Sequence, residues 1–303
     1  MSGPDLASVV AGVLVDVGLK STALLALGGL GAALLPRASA AQRHAVWAGT
    51  FAALPLLAVG ALLRGPAIAL DAPAVAPLIG PLWLMGAVVA GLPLLRGLWG
   101  LRRLQREARP DAEAPGLLHS AAVQSPITFG LLRPVIVLPA CAAGWPEARR
   151  AAALAHERAH VRRRDWAVHM VVWATCALFW FNPLAWLARR ALAQQAEHAA
   201  DDAALAAGAR PSDYAGLLVS LSGAGGARAA LGAGASPLAR RVHAVLEPRP
   251  RSPGRRWALG LSLALGAGAA GALGAHPTWS RPPDTLTCSP GPEPDDPPAL
   301  RSF

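Results

Sequence analysis

Apolar positions come first in long unbroken runs and only later in short ones. A bilayer-spanning helix needs about 20 mostly apolar residues. Four runs are long enough, over residues 6–35, 45–63, 78–95 and 257–275. The last three carry no charge. The first is interrupted by Asp16 and Lys20, four residues apart and able to pair on one helical face. No basic region precedes it, so it is expected to be a retained span and not a cleaved leader.

Between the third and fourth runs the pattern shortens. Pro126, Pro134 and Pro139 punctuate a stretch of β-branched and aromatic residues, which predicts short strands with an edge position. Pro146 and Glu147 open a helix expected to run to Phe181. Asn182 and Pro183 begin the next as N-cap and first residue, Gly208 ends it, and a third starts near Ser212. The expected fold is therefore mainly α. Residues 1–100 hold three spans, 101–256 a cytoplasmic α+β domain with a small sheet, 257–275 a fourth span, and 276–303 a disordered extracytoplasmic Pro-rich tail.

Composition supports the membrane reading. Hydrophobic residues make up 53% and charged residues 15%, against about 25% charged in ordinary soluble domains. Neither a soluble globule nor a disordered chain fits. The net charge of +10 comes from 28 basic residues, of which Lys20 alone is not Arg. Residues 96–256 hold 22 Arg against 11 acids, so the positive-inside rule places them in the cytoplasm and both termini outside. Direct nucleic-acid binding is not expected, because no stacking module or recognition helix accompanies the charge. Three cysteines without CxxC spacing form no disulfide framework.

The chemistry lies in His156-Glu157-Arg158-Ala159-His160. Residues four apart share a helical face, so both imidazoles can hold one Zn²⁺. Glu157, about 100° round the helix, can serve as general base toward a water that the ion acidifies. A third ligand is required. The positions six and twenty residues past His160 are Trp166 and Trp180, and no Glu lies between Glu157 and Glu197. Glu197 is assigned as ligand, with His198 as substitute, and Asp201 as the acceptor that orients a ligand His. Asp201 and Asp202 can also be read as solvated helix charges.

Residues 166–187 contain only His169 as an ionisable group, yet a crossing there would put His160 and Glu197 on opposite sides of the membrane. This segment is expected to be buried, re-entrant or interfacial. Tyr214, the only tyrosine, is a candidate for oxyanion stabilisation or for packing. Asp165 is expected in a structural ion pair. Val135, Ile136, Val137 and Leu138, flanked by Pro134 and Pro139, form a candidate edge strand for an extended substrate. Trp83 and Trp99 are expected near span ends.

Several motifs resemble, in order, the BlaR/MecR-type membrane metallopeptidases. They are Ser125-Pro-Ile-Thr-Phe-Gly-Leu-Leu-Arg-Pro-Val-Ile-Val-Leu-Pro139, the His156 motif through Asp165, Phe181-Asn-Pro-Leu-Ala-Trp186, Glu197-His-Ala-Ala-Asp-Asp202 and Tyr214-Ala. The resemblance implies a gluzincin-like domain with His156, His160 and Glu197 as zinc ligands and Glu157 as base. It also implies cleavage of a cytoplasmic repressor-like regulator, and self-cleavage, in transmembrane signalling. No penicillin-binding sensor follows the last run, so direct β-lactam sensing is not expected. The alternatives are a membrane quality-control metalloprotease and a non-catalytic zinc-containing scaffold. Expected partners are membrane lipid and a protein substrate, with a homodimer left open, in a bacterial inner membrane.

Overall fold

The computed structural model describes residues 6–35, 38–64, 75–111, 114–222 and 236–247; the runs expected to form a fourth span and a tail lie outside them. Helices α1 (Leu6–Ala33), α2 (Ala40–Arg64) and α3 (Ala76–Glu107) are long and apolar enough to cross a membrane. Lipid tails are as apolar as leucine, so association within the bilayer relies on close contact between small residues. Ala11, Ala53 and Ala61 are accordingly buried. At Gly28 a Cβ would meet Thr50 Oγ1 at 2.5 Å, so only glycine lets α1 and α2 approach this closely. Asp16 is buried and accepts a 2.7 Å hydrogen bond from Lys20.

Helix α3 continues past its apolar part and delivers the chain to a small mixed sheet. Its strands are β1 (Arg109–Pro110), β2 (Leu117–Ser120), β3 (Ile127–Phe129) and β4 (Val135–Pro139), in the order β1-β2-β4-β3. This corrects the expectation for Val135, Ile136, Val137 and Leu138. They are no edge: β4 pairs with β2 in parallel on one side and with β3 antiparallel on the other, and Val137 and Leu138 are fully buried. The prolines bracket the strand without interrupting it. Pro139 sits at its last position, opposite Ser120, and Pro134 precedes it. The outer strand on this side is β3.

Among the described residues, after a short 3-10 turn at Ala140–Gly144, five α-helices follow: α4 (Glu147–Arg163), α5 (Asp165–Leu178), α6 (Pro183–Ala206), α7 (Pro211–Leu221) and α8 (Pro237–Leu246). The single helix expected from Glu147 to Phe181 is broken at Arg164, which takes a left-handed conformation (φ 55°). The break lets Asp165 begin a new helix and still reach back to His160 and Arg163. Asn182 caps α6 through Leu184 N at 3.0 Å, as its sequence position predicts.

Helices α5 and α6 form a hairpin against α1–α3, burying Val172, Cys176, Phe179 and Leu192 against Phe51, Leu54 and Leu57. With 14 residues α5 is about 21 Å long, too short to cross a core of about 30 Å. The tip is pinned to α3 and, through Asn182, to α1. Trp180 packs over Gly86, where any side chain would overlap the indole. Trp83 Nε1 donates to Leu178 O at 2.8 Å, and Trp180 Nε1 donates to Trp83 O at 3.1 Å. Trp83, expected near a span end, lies two turns inside α3 against this tip. A second core of Ala152, Ala153, Leu217, Leu218 and Val245 joins α7 and α8 to α4 and α6.

Candidate metal centre

Helix α4 presents His156 and His160 one turn apart, and α6 crosses it with Glu197. One ligand atom from each of the three lies within 4.8 Å of the others. The two Nε2 atoms are 3.2 Å apart, and Glu197 oxygens stand 3.7 and 3.8 Å from them. Two imidazole nitrogens on one tetrahedral ion at about 2.05 Å would be about 3.3 Å apart.

The far side of each ring fixes its tautomer. His160 Nδ1–H donates to Asp165 Oδ2 at 2.7 Å. His156 Nδ1–H donates to the Tyr214 hydroxyl at 2.8 Å, and that hydroxyl donates to Asp201 Oδ1, also at 2.8 Å. With His156 deprotonated, both Nε2 lone pairs converge on one point beside a carboxylate, an arrangement suited to a bound cation. The donor set fits a divalent metal with one position left for solvent or substrate.

Arg241, from α8, closes the network. Its guanidinium reaches Glu197 Oε2 at 2.8 Å and grips Asp201 through two bonds of 2.7 and 2.9 Å. Burial alone would raise the Glu197 carboxyl, but the neighbouring His156 imidazole and the charges of Arg241 and His160 hold it near 2. Burial would lower His156. The facing carboxylates of Asp201 and Glu197, with that of Glu157, instead lift it to about 9 when no ion is bound. Burial and the charge of Asp201 push the Tyr214 phenol far above its usual range, so it keeps its proton.

Glu157 is buried beside the cluster. Its Oε2 accepts a 2.6 Å bond from Thr128 Oγ1 on β3, which leaves Oε1 as the free edge of the carboxylate. The centre floors a cleft of about 590 Å³, whose walls include Thr128, Trp166, His169, Leu217, Leu218 and Arg241.

The structure thus brings together His156, Glu157, His160, Glu197, Asp201 and Tyr214. Tyr214 stands behind His156 as a link to Asp201, so its hydroxyl is engaged away from the ligand atoms. His198 faces a different cavity, with Arg43 and Gln195. Residues 135–138 stay in the sheet interior. Three participants were not singled out for the site from sequence: Asp165, Arg241 and Thr128. Asp165, five residues past His160, had a usable signal in its acid directly after a run of arginines. The other two come from distant elements, and their pattern along the chain carries none.

Three apolar helices, a small mixed sheet, and a two-helix His/His/Glu cluster at the floor of a cleft define a membrane-anchored metallopeptidase domain. The family model described as BlaR1 peptidase M56 matches residues 64–245, and the chain belongs to that family. It is also similar to the regulatory protein BlaR1 of Bacillus licheniformis, 33% identical over 89 residues. That stretch is 29% of this chain and 15% of the relative, so the chain matches only a small part of that protein.

Proposed function

We propose that the chain is a zinc endopeptidase of transmembrane signalling, cleaving a cytoplasmic repressor-like regulator and itself. His156, His160 and Glu197 hold the ion, and Glu157 is the general base. The convergence of the two Nε2 atoms and the Glu197 carboxylate, with Glu157 alongside, carries this reading. Its membrane anchoring and its likeness to a regulatory BlaR1 protein support the signalling role.

Bound zinc supplies Lewis acidity, which activates water and polarises a peptide carbonyl. The chain's own residues do the rest. Asp165 and the Tyr214–Asp201 pair hold the imidazoles with Nε2 toward the ion. Arg241 keeps Glu197 ionised and in place. Thr128 fixes the rotation of Glu157, whose Oε1 takes a proton from water and passes it to the leaving amine. An extended substrate lies along β3, the outer strand, whose Ile127 and Thr128 line the cleft.

Glu157→Gln keeps the hydrogen-bonding outline and removes the base. The purified variant is expected to retain one zinc per chain by elemental analysis while losing cleavage of itself and of a co-expressed repressor. Undiminished turnover would overturn the assignment.

A further inference from the structure

We infer that the cleft opens at the depth of the lipid headgroups, so that any substrate, the cytoplasmic regulator included, is cleaved in a segment brought to the membrane surface. This rests on the peptidase reading above and adds where the substrate is cleaved. Two independent rulers within the fold give the depth.

The first ruler starts at the hairpin tip. Asn182 Nδ2 donates to Ser21 Oγ at 3.2 Å and to Thr22 Oγ1 at 3.1 Å, and Phe181 meets Gly18. These three residues sit midway along α1 (Leu6–Ala33). Trp180 meets Gly86, the middle of the uncharged run of α3. Two helices therefore place the tip near the bilayer midplane. From Pro183 to Glu197 the chain climbs fourteen helical residues, about 21 Å. The hydrocarbon half-thickness is about 15 Å, so the ligand carboxylate stands about 6 Å beyond it, within the headgroup layer.

The second ruler uses α2. Arg43 Nε donates to Gln195 Oε1 at 3.3 Å, and His44 Nε2 lies 3.8 Å from Asp165 Oδ1. These residues immediately precede the uncharged run 45–63. Ten residues, about 15 Å, separate His44 from the middle of that run. The cluster is again at the boundary, and tilting either helix only lowers it.

The side chains around the cluster agree with the depth. Below the cluster, inside the hydrocarbon by the same ruler, the Arg189 guanidinium lies 4.2 Å over Trp173, which meets Trp186 edge to face, so its charge is covered by indole. Arg162 and Arg164, exposed on the turn that carries His160 and Asp165, stand where anionic phosphates would meet them.

The test uses the full chain in phosphatidylethanolamine/phosphatidylglycerol proteoliposomes. Nitroxides at Arg162→Cys and Leu19→Cys, with Cys141 and Cys288 changed to Ser, report depth by oxygen and nickel-chelate collision. The label at 162 is expected at phosphate level and the label at 19 near the midplane. Full bulk-water exposure at 162 overturns the inference and leaves the peptidase reading intact. In parallel, a quenched randomised peptide pool is supplied free, or joined to a palmitoyl anchor by Gly-Ser spacers of about 2 or about 30 residues, the longer reaching about 30 Å. The short-spacer form is expected to be cleaved at least about tenfold faster than the free pool and no slower than the long-spacer form, as effective concentration at the headgroups dictates. Equal cleavage of the free pool, or a need for the long spacer, shows that the cleaved segment need not approach the membrane surface and refutes the inference. No cleavage of any form, with both labels at their expected depths, overturns the peptidase reading and the substrate assignment with it.

Discussion

Asp165 Oδ2 lies 2.7 Å from His160 Nδ1, and the same carboxylate is held by Arg163, whose Nη2 also donates to Ala196 O on α6. One buried acid therefore orients a candidate ligand and is anchored to the helix that carries another.

Asp165→Asn retains the shape but lets an amide face His160. Partners of this kind typically contribute about 10–100-fold in metal affinity. A loss of that size is expected in competition with a chromogenic zinc chelator. The fold should persist, as judged by circular dichroism in detergent. An affinity equal to that of the parent protein would show that His160 needs no such partner.

Arg241→Ala should be harsher than its place on a terminal described helix suggests. It strips the counter-charge from Asp201, which is 2% exposed, and releases Glu197. Removing one partner of a buried ion pair costs about 3–5 kcal/mol, readable as a lowered denaturation midpoint of the metal-free protein. Arg241→Lys cannot span both carboxylates and should recover only part of the loss.

Metal uptake should depend on pH through His156. Metal binds the neutral ring, so a group held near 9 must release a proton. Zinc affinity is expected to rise about tenfold per pH unit up to about 9 and then level off. The metal-free fold should behave oppositely on that side. A raised His156 stabilises fully below 6.5 and loses this contribution as pH rises through about 9. A depressed Glu197 stabilises above 4.5 and loses it as pH falls toward 2. The melting temperature of the apo protein should therefore peak between 4.5 and 6.5. A monotonic rise with pH would contradict the network.

Ile127→Pro removes the donor that ties β3 to Val137 on β4, because Ile136 N–H turns the other way, to Gly116 O beside β2. Loosening β3 is expected to release Glu157 from Thr128 and to lower cleavage mainly through kcat, with zinc content unchanged. The same substitution at Val137 should cost the fold itself, because that strand is paired on both sides.

The sequence exposed what local geometry encodes. His156 and His160 share a face of one helix, so four-residue spacing alone brings them together. Glu197 followed from the lack of any other Glu between it and Glu157, and the Asn182–Pro183 start from cap chemistry. The break at Arg164 was illegible because no Gly or Pro marks it. Its left-handed backbone is held by bonds that form only once Asp165 meets His160. The strand order misled for a related reason. Flanking prolines look alike whether they border an edge or end an interior strand, and only the partners of β4 distinguish the two. Thr128 and Arg241 reach the centre from 29 residues before Glu157 and 40 after Asp201, and no periodicity reports such encounters.

Asn182 has a consequence that outlasts its role as a cap. It hooks the first helix at Ser21 and Thr22, while fourteen residues farther along the same stiff rod rides the carboxylate that completes the triad. A push or twist delivered to that helix would therefore arrive at the candidate metal centre as a displacement of Glu197, with no intervening joint to absorb it.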